Sequence, residues 1–323
     1  MNKTPLFLIA LAILMGVGCK GESKQGETSE IQTETPPTVE AQNPVDSDVT
    51  GAYVDESYAR RSEGYDWVGV RVKGYGDGRL WISVRSRADK KRPTCTFDSQ
   101  VYKVSENTYE TTLEGQTAVF EFKGNALTIR PKAETDAQAL YFRCSGGATL
   151  AGTYLKIEGD LDPDQVDPTT FMKYLTLQDI SFNVSAAEKD GKQELTIRSI
   201  GLEYSDDDPI ILSIPGKILD AEIEDLNSDG SPEVVVFSRN ANRGYVQGVS
   251  VNSKKSMSMF YFPPVENNPE ISKGFNGNDE FALVETNLVQ RFPVSGGKTR
   301  QVSYELVNGE NSRVFRVKNV TEY

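Results

Sequence analysis

The 323-residue chain contains no histidine. That absence removes Ser-His-Asp and Cys-His catalysis, histidine general bases and histidine metal ligands together. Positive charge is in deficit, with 35 Lys and Arg against 47 Asp and Glu and a net charge of −12. Such a balance argues against a nucleic-acid binder, whose affinity comes largely from neutralising phosphates. Long apolar runs are missing too. The longest, Pro5–Val17, is about 13 residues, too short for a stable bilayer span and the right length for the apolar part of a signal peptide. What is present is a soluble, globular composition: 37% hydrophobic residues, with 14 Phe, 14 Tyr and 2 Trp to build a core. The balance of these features favours binding over catalysis.

The apolar run ends in Gly16-Val17-Gly18-Cys19. Small residues before a cysteine resemble the lipobox of bacterial lipoproteins, although Gly16 stands where leucine is usual. The alternative is a plain secretory signal. The resemblance implies residues 1–18 as a signal peptide and acylation at Cys19, with several acyl chains anchoring the mature protein to a membrane. Residues 19–50 read as a disordered tether. Lys20–Thr50 carries seven acids, two lysines and three prolines, and buries too little to offset its ordering entropy. Of three cysteines, Cys95 and Cys144 remain. In an exported chain an even pair implies a disulfide.

Charge divides the rest. Residues 51–150 are close to neutral at +2, and residues 151–323 stand at −10. Gly146-Gly147 and Gly152 coincide with the shift, so a domain boundary is expected near residue 150. The patterning predicts an all-β protein of two antiparallel domains with little helix: a small disulfide-containing barrel or sandwich over 51–150, then a larger β-sandwich over 151–323. In the first domain strands are expected at Trp67–Val72, Leu80–Val84, Tyr109–Leu113, Ala118–Phe122, Ala126–Ile129 and Leu140–Cys144. The disulfide would pin the Cys95 segment to the last of these. In the second they are expected at Thr153–Ile157, Ile180–Val184, Glu194–Ser199, Ile210–Ile214, Ala221–Ile223, Glu233–Ser238, Gly244–Val251, Ser256–Phe262, Ala282–Val289, Arg300–Val307 and Ser312–Val317. Pro168–Tyr174 is the one expected helical turn. Gly51-Ala52-Tyr53 and Gly152-Thr153-Tyr154 open the two halves alike.

The most specific local pattern is Asp225-Leu226-Asn227-Ser228-Asp229-Gly230-Ser231-Pro232-Glu233. Oxygen side chains at positions 1, 3, 5 and 9 with glycine at 6 begin an EF-hand loop, but position 12 is Val236 rather than glutamate. Two readings stand. One is a structural Ca²⁺ site using Asp225, Asn227, Asp229, Ser231 and Glu233. The other is an Asx-rich turn whose side chains cap their own backbone. The acidic clusters Asp206–Asp208 and Asp160–Asp164 read as solvated loops. The basic run Arg85–Arg92 reads as an exposed hairpin end. Ser295–Thr299 imitates a P-loop tail without its first glycine, and no Gly-x-Ser-x-Gly elbow exists.

The stretch from Ala221 to Val251 resembles the periplasmic inhibitors of invertebrate-type lysozyme. Asp225, Asn227, Asp229, Gly230, Pro232 and Glu233 match that family's acidic turn, Val234–Phe237 its Val-rich strand, and Tyr245 the end of its protruding loop. The Ser and Gly of the loop motif are replaced by Asn242 and Arg243. The resemblance implies that Asn242, Arg243, Gly244 and Tyr245 form an inhibitory loop. In it Arg243 would pair with the catalytic carboxylates of a lysozyme cleft, Gly244 allow close approach and Tyr245 stack. The function expected is that of a non-enzymatic, lipid-anchored envelope protein, periplasmic or on the outer membrane, that inhibits a lysozyme-type glycan hydrolase. The alternative is a structural or glycan-binding β module. No cofactor is required beyond a structural calcium ion in the first reading of the acidic turn.

Overall fold

The structure is a computed structural model that describes residues 49–204 and 208–323. The expected signal peptide, Cys19, the tether as far as residue 48, and Asp206 and Asp207 lie outside the described residues.

Eight strands build the first part: β1 (Gly51–Val54), β2 (Val68–Gly76), β3 (Arg79–Ser86), β4 (Phe97–Ser105), β5 (Thr108–Leu113), β6 (Gln116–Lys123), β7 (Ala126–Pro131) and β8 (Gly152–Ile157). Each pairs with the next, and β1 pairs with β8, so the sheet closes into a barrel. Tight turns make the meander, with Asp77 and Gly78, then Glu114 and Gly115, at positive φ. These are backbone states that short polar residues and glycine tolerate best. Alternate residues point inward. Val70, Val72, Leu80, Ile82, Val84, Phe120, Phe122, Leu127 and Ile129 join one buried cluster, and an eight-stranded barrel is narrow enough for side chains to fill.

The two Gly-x-Tyr segments meet at the closure. Tyr53 donates to the Val49 carbonyl at 2.9 Å, and Tyr154 donates to the Leu150 carbonyl at 2.9 Å, each four residues back. The likeness therefore marks the two ends of one barrel. The chain leaves the barrel only after Ile157, beyond the boundary expected near residue 150. The expected strand Leu140–Cys144 is instead a helical turn, α1 (Gln138–Tyr141). Its adjacent Ala139 and Leu140 are both buried, which an alternating strand cannot arrange. Cys95 and Cys144 form the disulfide, with S–S 2.04 Å. It ties the β3–β4 connection to the β7–β8 connection rather than to a strand.

Twelve further strands form three four-stranded antiparallel meanders. The first sheet has β9 (Thr169–Leu177), β10 (Ile180–Lys189), β11 (Lys192–Ile200) and β12 (Ile210–Ile214). The second has β13 (Lys217–Glu224), β14 (Glu233–Asn240), β15 (Arg243–Asn252) and β16 (Ser256–Met259). The third has β17 (Glu280–Val284), β18 (Asn287–Val294), β19 (Lys298–Asn308) and β20 (Arg313–Glu322), preceded by the short helix α2 (Pro269–Ser272). The expected helical turn at Pro168–Tyr174 is strand β9, where Thr169, Thr170, Phe171 and Tyr174 favour extended backbone. The expected single strand Ala282–Val289 is the hairpin β17–β18, turned at Glu285, whose φ is +53°.

The second sheet lies between two cores. Val234 and Val236 join the cluster shared with the first sheet, and Val235 and Phe237 join the cluster shared with the third. A strand buried on both faces reads as a continuous apolar run, which is why Val234–Phe237 does not alternate.

The barrel is fastened to the first sheet. Arg85, 2% exposed, donates to the Thr169 carbonyl at 2.7 Å and to Asp98 Oδ2 at 2.7 Å. The same Asp98 oxygen accepts from Met172 N at 2.7 Å. Trp81 stacks on Phe171 with ring centroids 6.1 Å apart. Arg87 is also buried, so the front half of the basic run is a junction element and not an exposed hairpin end. Asp160 and Asp162 pair with Arg71 and Arg61, so two of the three acids of that cluster are paired locally. No helix among the described residues is long and apolar enough to cross a membrane.

Candidate functional site

The acidic turn joins β13 to β14. Asp225 Oδ1 accepts from Asp229 N at 3.0 Å, and its Oδ2 accepts from Gly230 N at 2.9 Å and from Gln178 Nε2 at 2.8 Å. Asn227 Oδ1 accepts from Asp229 N, and Asp229 Oδ1 accepts from Ser231 N. The other Asp229 oxygen bonds Arg313. Glu233, completely buried, accepts from Leu226 N at 2.9 Å, from Ser250 Oγ at 2.6 Å and from Arg313 at 2.8 Å. Burial pushes the Glu233 carboxyl up to about 7, against the pull of Ser250, the Leu226 N–H and Arg313. As arranged, the donor set is that of an Asx-rich turn. Its carboxylates are spent on backbone N–H groups and on the Arg313 guanidinium, which brings the positive charge from β20. Among the described residues no group of three or more Asp, Glu, Cys or His is set to hold a metal ion.

The expected inhibitory loop is a two-residue hairpin turn, Ala241-Asn242, closed by the pair Asn240 and Arg243. Three of its four named positions, Asn242, Arg243 and Gly244, are bonded to other parts of the chain. Asn242 Nδ2 donates to the Asn276 carbonyl at 2.9 Å. Arg243 makes a two-pronged ion pair with Glu266 and lies near the rings of Tyr245 and Phe275. That bond raises Arg243 and lowers Glu266 from their ordinary values. Gly244 N donates to Asp279 Oδ1 at 2.8 Å, and an added Cβ at Gly244 would sit 3.0 Å from the Phe281 ring. The close approach that glycine permits is therefore to the third sheet. Asp279 also accepts from Gln290 at 2.8 Å, and Tyr304 closes the network on Gln290.

A third place went unread in the sequence. Between the barrel and the first two sheets runs a groove of about 1050 Å³, lined among others by Arg79, Asp98, Thr112, Arg143, Tyr174 and Glu222. Five buried side-chain polar atoms among the described residues lack a hydrogen-bond partner, and three of them (Arg79 Nε, Asp98 Oδ1 and Arg143 Nε) belong to residues of this groove. Native proteins leave few buried polar groups unpaired, and an ion taken out of water costs several kcal/mol unless it is well paired.

Arg143 is the sharpest case. Its side chain is 4% exposed, and its ionic neighbour is Glu114 at 3.5 Å. The guanidinium lies 4.7 Å from the centre of the Tyr174 ring. Burial lowers its affinity for the proton below the ordinary arginine value. Opposite, Lys173 and Gln100 both donate to Asp220, at 2.7 and 2.8 Å. Burial, followed by the Asp220 charge, raises Glu222. These residues come from five separated stretches of chain, which leaves no local motif to find; the adjacency of Arg143 to Cys144 was the one available signal. No protein-family model matches the chain, and no curated protein matches it.

Proposed function

We propose that this chain is a non-enzymatic, exported and lipid-anchored envelope protein that works by binding, and that it binds a polar ligand of the cell wall in the groove between barrel and sheets. The observation that carries this reading is the convergence on one groove of three charged side chains that each keep one buried polar atom without a hydrogen-bond partner. A volume of about 1050 Å³ suits a ligand of several sugar or peptide units. A signal peptide and tether, as expected from the sequence, would set such a module against the wall.

Inhibition of a lysozyme has less support. That reading asks for a protruding cationic loop, whereas Arg243 is already neutralised by Glu266 and Gly244 is occupied by Phe281.

Co-sedimentation of the purified full chain with insoluble cell-wall glycan tests the proposal. Binding is expected, with loss on Thr176→Arg, which fills the groove, and retention in the Arg243→Ala, Tyr245→Ala double variant. Failure to sediment, or full binding by Thr176→Arg, overturns it. Inhibition of an invertebrate-type lysozyme that depends on Arg243 and Tyr245 would instead restore the loop.

A further inference from the structure

We infer that the groove recognises a single carboxylate on an otherwise polar ligand, with Arg143 as its anchor and the Cys95–Cys144 disulfide as the device that positions Arg143; this rests on the groove being the binding site. Arg143 is a buried cation with one single-pronged ion pair, to Glu114 at 3.5 Å, and an Nε that has no hydrogen-bond partner. Its guanidinium presents a planar fork of N–H donors, a shape that pairs two-pronged with a carboxylate. The guanidinium lies over the Tyr174 ring, 4.7 Å from its centre.

The charge of the ligand follows from the rest of the lining. Asp98, Glu110, Glu114, Asp220 and Glu222 line the groove, against Arg79, Arg143 and Lys173. A phosphate dianion or a polyanion would meet five carboxylates, whereas one carboxylate on a neutral body meets Arg143 and leaves the acids to hydroxyl and amide donors. Ser99, Thr111, Thr112 and Thr176 supply hydroxyl groups along the same walls. A C-terminal peptide carboxylate and a uronic acid share this chemistry, and the two are separable by experiment.

Positioning comes from the covalent link. Cys144 is bonded to Cys95, and Thr96 N donates to the Arg143 carbonyl at 3.3 Å. The backbone of Arg143 is thus fastened on both sides of its own peptide unit to the segment that leads into β4. Phe97 and Asp98 of β4 line the groove.

The test is calorimetric titration of the full chain with four probes: acetyl-trialanine, its C-terminal amide, cellobiouronic acid and cellobiose. At least one acid is expected to bind about tenfold or more tightly than its neutral partner. Arg143→Lys should weaken the acid about tenfold and leave the neutral form unchanged, because lysine keeps the charge and loses the fork. Arg143→Met should erase the discrimination. Reducing the disulfide should weaken the acid alone. Circular dichroism verifies that each protein is folded, and Arg143→Lys carries the test if Arg143→Met does not fold.

Which acid wins identifies the source of the carboxylate. Equal binding of acid and neutral forms, both abolished by Thr112→Trp, overturns the carboxylate inference and leaves the groove standing. Binding indifferent to Thr112→Trp overturns both. No binding by any probe up to about 10 mM overturns the inference, while the groove itself stands or falls on sedimentation with cell-wall glycan.

Discussion

Replacing Arg313 by methionine should destabilise the second β region by an amount that depends on pH. Arg313 reaches from β20 to Asp229 and to the fully buried Glu233, and also donates to the Val251 carbonyl at 2.8 Å. Methionine keeps part of the volume and removes the cation. Breaking a buried pair from one side costs about 3–5 kcal/mol when the partner stays charged. Glu233 need not stay charged, because burial already raises its folded-state value from 4.5 to about 7. A carboxyl raised on folding binds its proton more tightly in the folded protein. Its contribution is fully present below about pH 4.5 and is lost as pH rises through about 7, a change of about 3 kcal/mol in the native protein. Without Arg313 the folded value rises further and the loss extends to higher pH. At pH 5 the variant should therefore lose about 1 kcal/mol, the worth of a hydrogen bond. At pH 8 it should lose about 3 kcal/mol or more. Urea unfolding followed by circular dichroism at both pH values measures this. Glu233→Gln combined with Arg313→Met should remove most of the pH dependence. Equal losses at pH 5 and pH 8, or a loss under about 1 kcal/mol at pH 8, would refute the account of Arg313 as the internal cation of the turn.

The same turn gives a metal prediction: millimolar calcium should leave the melting temperature of the native chain unchanged and raise that of Arg313→Met, where the carboxylates are freed. A calcium-dependent rise in the native chain would return the loop to a metal site. At the barrel seam, Tyr53→Phe and Tyr154→Phe should each destabilise by about 1–3 kcal/mol, since each leaves a carbonyl short of its hydroxyl donor; changes within about 0.3 kcal/mol would mean that water or another group replaces it. Reduction of Cys95–Cys144 should cost about 4 kcal/mol on the chain-entropy account of a cross-link across 49 residues, read from urea unfolding with and without reductant. Gly244→Ala should lower stability by about 1–3 kcal/mol through crowding of Phe281; an unchanged midpoint would show that the hairpin end is not packed as described.

How much of this was legible in the sequence depends on how local each cause is. The glycine-marked turns at Gly78, Gly115 and Gly124 act over four residues, and alternation such as Val68–Val72 acts over five, so the all-β class and most strands follow from the chain directly. The strand β9 was missed because Pro168 and the short run after it carry no turn signal at the far end. The helical turn at Gln138–Tyr141 was missed because its few apolar residues do not fill a period of either kind. The acidic turn was read down to its alternatives, yet Arg313, the cation that bonds Asp229 and Glu233, lies 80 positions beyond Glu233.

By itself the sequence determined a histidine-free, aromatic-rich β protein with one cysteine pair to link. Turn chemistry, pattern and composition are properties of neighbouring residues and survive without a fold. Tertiary structure alone decided that Gly51–Val54 and Gly152–Ile157 close one barrel, and that Val234–Phe237 is covered on both faces. It also decided that Arg243 is paired with Glu266 and that Arg143 is buried with only Glu114 as its ion-pair partner. Each of these is a pairing between distant segments, and whether a charge is free or neutralised depends on which segment folds against it.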